Sequence, residues 1–285
     1  MRHFRAEGKT ATEIFSYVLP VSNKNFTIPQ GWLQGLDFFP HSYRLKQKHA
    51  GPCGLFAILQ AYILIAKKNI PGVSKMEALR YAVLEIMEKL RAIYAITNEF
   101  DVDKNFIDFY ITEEREEAEN YLAKNFEFDS KLAIIRLMLA FTFIIGPKML
   151  NSYAFKESFI TADGNTDIHF VLHVLTGTAI DTMNKKFTIG GGVLLSGIRG
   201  KILTQDVGLI SCSNYNASSI SDRLLVPYQY TWVVFYGGHF TSLMYDGADF
   251  FECDPFDHSF VECCKKVTYE HPLYDFLKKI KAKFV

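Results

Sequence analysis

Directly after Cys53 and Gly54 the chain runs LFAILQAYILIAKK, a string of helical length that stays almost wholly apolar until its two closing lysines. A helix of that kind has no face to give to solvent and must lie inside the protein, with Lys67 and Lys68 suiting the negative end of its dipole. The fold is therefore expected to form around a buried helix that begins at a cysteine. A second apolar run, Leu132 to Ile145, contains Arg136 and Thr142. It falls short of the roughly 18 to 20 residues that cross a bilayer, so it reads as a core helix with Asp129 or Ser130 as N-cap and Gly146-Pro147 as its stop.

The chain has 285 residues, 49% of them hydrophobic and 15% aromatic, which is enough to bury a substantial core. No repeat, low-complexity tract or linker divides it, so a single domain over residues 1–285 is expected, with residues 1–43 as a lead-in lying on its surface. Lysine plus arginine and aspartate plus glutamate both total 31. That balance leaves no net field to draw the protein to nucleic acid or to an anionic membrane. Five cysteines (Cys53, Cys212, Cys253, Cys263, Cys264) are too few and too irregular for a disulfide framework, and no secretory signal is evident, so the cytoplasm or nucleus is expected.

Ser74 with Glu77 forms a capping box that opens an amphipathic helix running to about Ile96. Asn105 to Thr112 alternates as a strand, Glu113 to Asn125 reads as a surface helix, and helical character returns over Asp167 to Asn184 with an interruption near Gly177. Beyond residue 190 come short β-rich runs: Gly192 to Leu195, Tyr228 to Tyr236, His239 to Tyr245, Asp249 to Cys253 and Phe260 to Thr268. Helices first and strands later predict an α+β fold, with helices packed on a mostly antiparallel sheet.

The chemistry gathers at Gln47-Lys48-His49-Ala50-Gly51-Pro52-Cys53-Gly54. A thiol at a helix N-terminus faces unpaired N–H groups and the positive end of the dipole, and both stabilise the nucleophilic thiolate. Gly51 and Gly54 are expected to keep the approach clear for substrate, and the Gln47 carboxamide to join the Cys53 amide in binding an oxyanion. Of the eight histidines, His239 stands at a strand start after Gly237-Gly238 and is the candidate base. Asp246-Gly247 predicts a hairpin that sets Asp254 opposite His239, where the carboxylate orients the imidazole. Glu252 is the rival, because strand alternation puts it on the same face. Cysteine first, then histidine, then an acid is the papain-like order.

Other candidates carry less. His169 and His173 can share a helix face but lack a metalloprotease context. Adjacent Cys263 and Cys264 suit neither a zinc knuckle nor a redox pair. Gly190-Gly191-Gly192 lacks the Lys-Ser/Thr of a phosphate loop. No metal or organic cofactor is implied.

The stretch RLKQKHAGPCGLFAILQAYIL resembles the MINDY deubiquitinases, specifically the branch with the family's third and fourth human members. Leu175-Thr176-Gly177-Thr178-Ala179, Asp206-Val207-Gly208-Leu209, and Trp232-Val233-Val234 followed by His239-Phe240 agree in order, so the likeness spans roughly residues 30 to 255. It implies a papain-like fold and hydrolysis of isopeptide bonds in polyubiquitin, with a preference for lysine-48-linked chains. It also implies Cys53 as nucleophile, His239 as general base, Gln47 as oxyanion donor, and a monomer whose partner is ubiquitin. Gly238 and Trp232 are expected to line the substrate groove with Gly51 and Gly54. The sequence departs from the family pattern at Ala50, Thr178 and Gly237-Gly238. An inactive ubiquitin-binding relative and an unrelated papain-like peptidase are the rival readings.

Overall fold

The computed structural model describes residues 1–147, 150, 158–177, 187–189, 192–194, 205–212, 222–258 and 263–283. In chain order the first half comprises β1 (Arg2–Glu7), α1 (Lys9–Val18), β2 (Val21–Ser22), β3 (Asn25–Phe26), β4 (Asp37–Phe38), β5 (Leu45–Lys46), α2 (Cys53–Asn69), α3 (Lys75–Arg91), β6 (Tyr94–Asp101), β7 (Phe106–Thr112), α4 (Arg115–Asn125) and α5 (Ala133–Ile145). The second half comprises α6 (Ile168–Thr176), β8 (Phe187–Ile189), β9 (Gly192–Leu194), β10 (Val207–Ser211), α7 (Asp222–Leu225), β11 (Thr231–Phe235), β12 (Phe240–Tyr245), β13 (Phe250–Cys253), β14 (Lys265–Lys266) and α8 (Tyr274–Lys281).

The architecture is α+β. One sheet runs β10-β11-β12-β13-β14, antiparallel except for the parallel β10–β11 pair. A second, antiparallel sheet runs β1-β7-β6. α2 lies across β12 and β11, α3 packs between α2 and α5, and α5 rests on β6, so the helices fill the space between the two sheets.

That layering explains why α2 is buried at every position from Cys53 to Ala66 and reaches solvent only at Lys67, Lys68 and Asn69. No helix among the described residues is long and apolar enough to cross a membrane.

Capping sets where α3 begins. The Glu77 amide donates to Ser74 Oγ at 3.3 Å, and the Ser74 amide returns a bond to Glu77 Oε2 at 2.8 Å. The helix stops earlier than its apolar periodicity predicts: Ala92 turns left-handed (φ 52°), and Tyr94–Ile96 pair with β7 instead. Cross-strand partners outweigh one more helical turn for these aromatic and β-branched residues. α5 likewise begins at Ala133, so its N-cap is Leu132, without a side-chain cap bond, and not Asp129 or Ser130; Ser130 instead accepts the Ala133 amide on its carbonyl and the Leu132 amide on its hydroxyl.

The N-terminal segment is not a surface lead-in. β1 adds to the edge of β7, and Ala11, Ile14, Phe15, Val18, Leu19 and Trp32 sit fully inside the same apolar cluster as α2 and α5. β10 and α8 are further elements that the apolar patterning alone did not signal. Gly190, Gly191, Thr178 to Asn184 and Phe260 lie outside the described residues.

Candidate active site

Cys53 is the first residue of α2, and Pro52 before it has no side chain able to cap the helix. The cap comes from far along the chain: Thr166, just ahead of α6, accepts the Gly54 amide on Oγ1 at 3.2 Å. The same Thr166 donates to the Gly51 carbonyl from Oγ1 at 2.8 Å and from its amide at 2.9 Å. One threonine thus clamps both sides of Cys53.

The glycines there answer to packing. Gly51 has φ +120°, and a Cβ on it would stand 2.6 Å from the Gly164 carbonyl oxygen, which Trp32 Nε1 also bonds at 2.7 Å. A Cβ on Gly54 would meet Thr166 Cγ2 at 2.5 Å. The expectation that these two line a substrate groove is overturned, because the 164–166 segment already fills the space. Gly238 differs: it is exposed, has φ +146° and nothing within 4 Å of a built Cβ, and its carbonyl lies 4.0 Å from Cys53 Sγ.

His239 directly precedes β12 and gives Nε2 to Asp254 Oδ2 at 2.9 Å, leaving Nδ1 for the thiol. The other oxygen of Asp254 accepts the Phe256 amide at 2.8 Å, so the carboxylate is held at both ends. The imidazole is pushed up to about 10: the hydrogen bond to Asp254 contributes most, that to Cys53 next, and burial opposes both. An imidazole anchored on a carboxylate therefore stands beside the thiol at the mouth of α2.

Asp254 reaches the histidine by a different register from the one the turn predicts. Asp246 to Asp249 form the loop, Tyr245 pairs with Phe250 and Ser242 with Cys253, so one step further Thr241, not His239, faces Asp254. The contact is diagonal, within reach of two such side chains. Glu252 is withdrawn from the site: Tyr236 and Thr241 hydroxyls donate to it at 2.6 Å each, and His271 Nε2 lies 2.8 Å away.

Gln47 is 1% exposed. The loop after Asp254 grips its main chain from both directions, with its amide donating to Pro255 O at 2.9 Å and its carbonyl facing His258 Nε2 at 2.7 Å. Its Nε2 donates to His49 O at 2.7 Å, a bond that takes one of two protons, while Oε1 is buried with no hydrogen-bond partner among the described residues. Gln34 props the same turn, donating from Nε2 to His49 O at 3.0 Å and accepting the Lys48 amide at 2.7 Å.

Trp232 is not a groove residue. It is fully buried in β11, with its Nε1 donating to Leu225 O at 3.0 Å and its ring against Phe250. Sequence reasoning in turn missed Thr166, Gln34 and His258, none of which carries a local signal, since each acts on a residue distant in the chain. His169 is tied to the α6 cap residue Asp167 at 2.7 Å, and His173 packs edge-on against Phe159 inside the core.

No family model, curated protein or solved structure matches this chain.

Proposed function

We propose that this chain is a papain-like cysteine hydrolase that cleaves isopeptide bonds at the C-terminus of ubiquitin. The observation that carries the reading is the grouping of Asp254, His239 and Cys53, with the sulfur at the N-terminus of a buried helix and its two partners at neighbouring ends of β12 and β13, β12 being packed on that helix. In this mechanism the Cys53 thiolate attacks the carbonyl of the terminal glycine. The Cys53 amide and the spare Nε2 proton of Gln47 bind the oxyanion, and His239 protonates the departing lysine amine. Water then hydrolyses the thioester. Open space around Gly238 and the exposed ring of Phe256, 6.3 Å from His239, suit a narrow tail without side chains at its end. The resemblance to MINDY deubiquitinases supplies the substrate, and lysine-48-linked chains are the expected form.

One feature favours a second reading, an inactive ubiquitin binder: Cys53 is only 4% exposed, its sulfur 3.9 Å from the Gly51 carbonyl. Ubiquitin carrying a thiol-reactive C-terminal group distinguishes the two. An adduct by intact mass on the wild type and none on Cys53→Ala is expected, followed by cleavage of lysine-48-linked chains. Binding without an adduct would assign the chain to the second reading. Neither binding nor adduct, with Cys53 still open to a small alkylating reagent, would leave the hydrolase chemistry and remove ubiquitin.

A further inference from the structure

A second sulfur chemistry lies one residue from Asp254. Cys253 closes β13, and the chain returns through Cys263 and Cys264 into β14, which pairs with β13 through Glu252 and Lys265. The return brings all three sulfurs within 4.8 Å of one another. Two adjacent cysteines argue against a zinc site from sequence, and the structure removes that objection by supplying a third ligand 10 positions upstream of the first.

The surroundings fit a metal ion. All three thiols are free, Cys253 is 1% exposed, and the other two are half-buried and reachable. The buried Ser42 hydroxyl acts on Cys263, where an outer-shell donor to a ligating sulfur would stand. Lys67, at the end of α2, acts electrostatically on Cys263 and Cys264. Sulfurs around one zinc ion, each at about 2.3 Å from it, lie about 3.8 Å apart, a modest contraction of the observed spread. A disulfide would use two of the thiols and strand the third, whereas soft thiolates in threes match a closed-shell thiophilic cation.

We propose that Cys253, Cys263 and Cys264 bind one zinc ion through three thiolates, with water in the fourth position. Each thiol that ligates releases its proton to solvent. Three thiolate charges are then met by two on the ion and one on Lys67. The ion ties the end of β13 to the start of β14 and so braces the residue that holds His239.

The test uses the full chain in the Cys53→Ala background, so that the thiol of the active site contributes nothing. Reduced, metal-free protein is titrated with cobalt(II) and back-titrated with zinc. A sulfur-to-cobalt charge-transfer band saturating at one ion per chain, with proton release and displacement by zinc, is expected. Cys253→Ser should abolish the band. Cys264→Ser, at a half-buried position that tolerates the change, should weaken binding at least tenfold with an unchanged circular dichroism spectrum. No band from folded, reduced protein, or a band that survives Cys264→Ser at equal affinity, overturns the site. Protein purified two hydrogens short in mass, with Cys253 joined to a neighbour, would reassign the trio to a disulfide.

Discussion

Gly51 and Gly54, beside Cys53, are glycines because there is no room for anything else: added Cβ atoms would stand 2.6 and 2.5 Å from atoms of Gly164 and Thr166. Gly237 and Gly238, beside the histidine, have nothing within 4 Å. The same residue type thus serves opposite ends across one candidate site. On the helix side it lets two segments of backbone close on each other and hold the sulfur still; on the strand side it leaves a surface without side chains.

That contrast makes rate and stability separable. The largest effect belongs to the strand side: Asp254→Ala should lower kcat/KM for a ubiquitin substrate by about 10² to 10⁴-fold with the fold intact, since an unoriented imidazole is a poor partner for the thiol. A change of less than threefold in single-turnover cleavage would remove Asp254 from the site. Gly51→Ala should cost about 3 kcal/mol in chemical denaturation, from the backbone clash and the positive φ together. Gly238→Ala should cost about 1 kcal/mol yet slow catalysis, and equal losses at the two positions would break the comparison.

The pH dependence sharpens it further. Because the His239 pKa is raised from 6.5 to about 10, the charged imidazole and its contribution to stability are fully present below about 6.5 and fade as pH climbs through about 10. The alkaline limb of kcat/KM should lie near that upper value in the wild type. Asp254→Asn removes the largest cause of the shift and should move the limb downward. Smallest of all, Thr166→Val deletes the hydroxyl that caps α2 and should lower stability by about 1 kcal/mol, read from the denaturation midpoint.

Much of this was legible before any coordinates. The buried helix after Cys53, the capping box at Ser74, the stop at Gly146 and the α+β class all follow from local periodicity and capping, and each is present. So were the residue types at the site, because a thiol at a helix start and a histidine at a strand start advertise their chemistry locally. The errors are of one kind. The observed hairpin register differs from the predicted one because the loop is longer than Asp246-Gly247 suggests, and Trp232, expected in a groove, fills the core with its indole. Residues 1–43 read as a surface lead-in, because nothing local signals that β1 pairs with a strand about 100 positions away.

The sequence by itself determined where the long buried helices lie, that the sulfur sits at the start of one of them and which side chains are able to do chemistry, since these depend on neighbours within a few residues. Only the tertiary structure decided that Asp254 and not Glu252 meets His239, that Thr166 caps α2 from 112 positions away, and that Cys253 joins Cys263 and Cys264. Those choices rest on sheet register and on the close approach of distant loops. Many weak contacts set both at once, and no short stretch of sequence contains them.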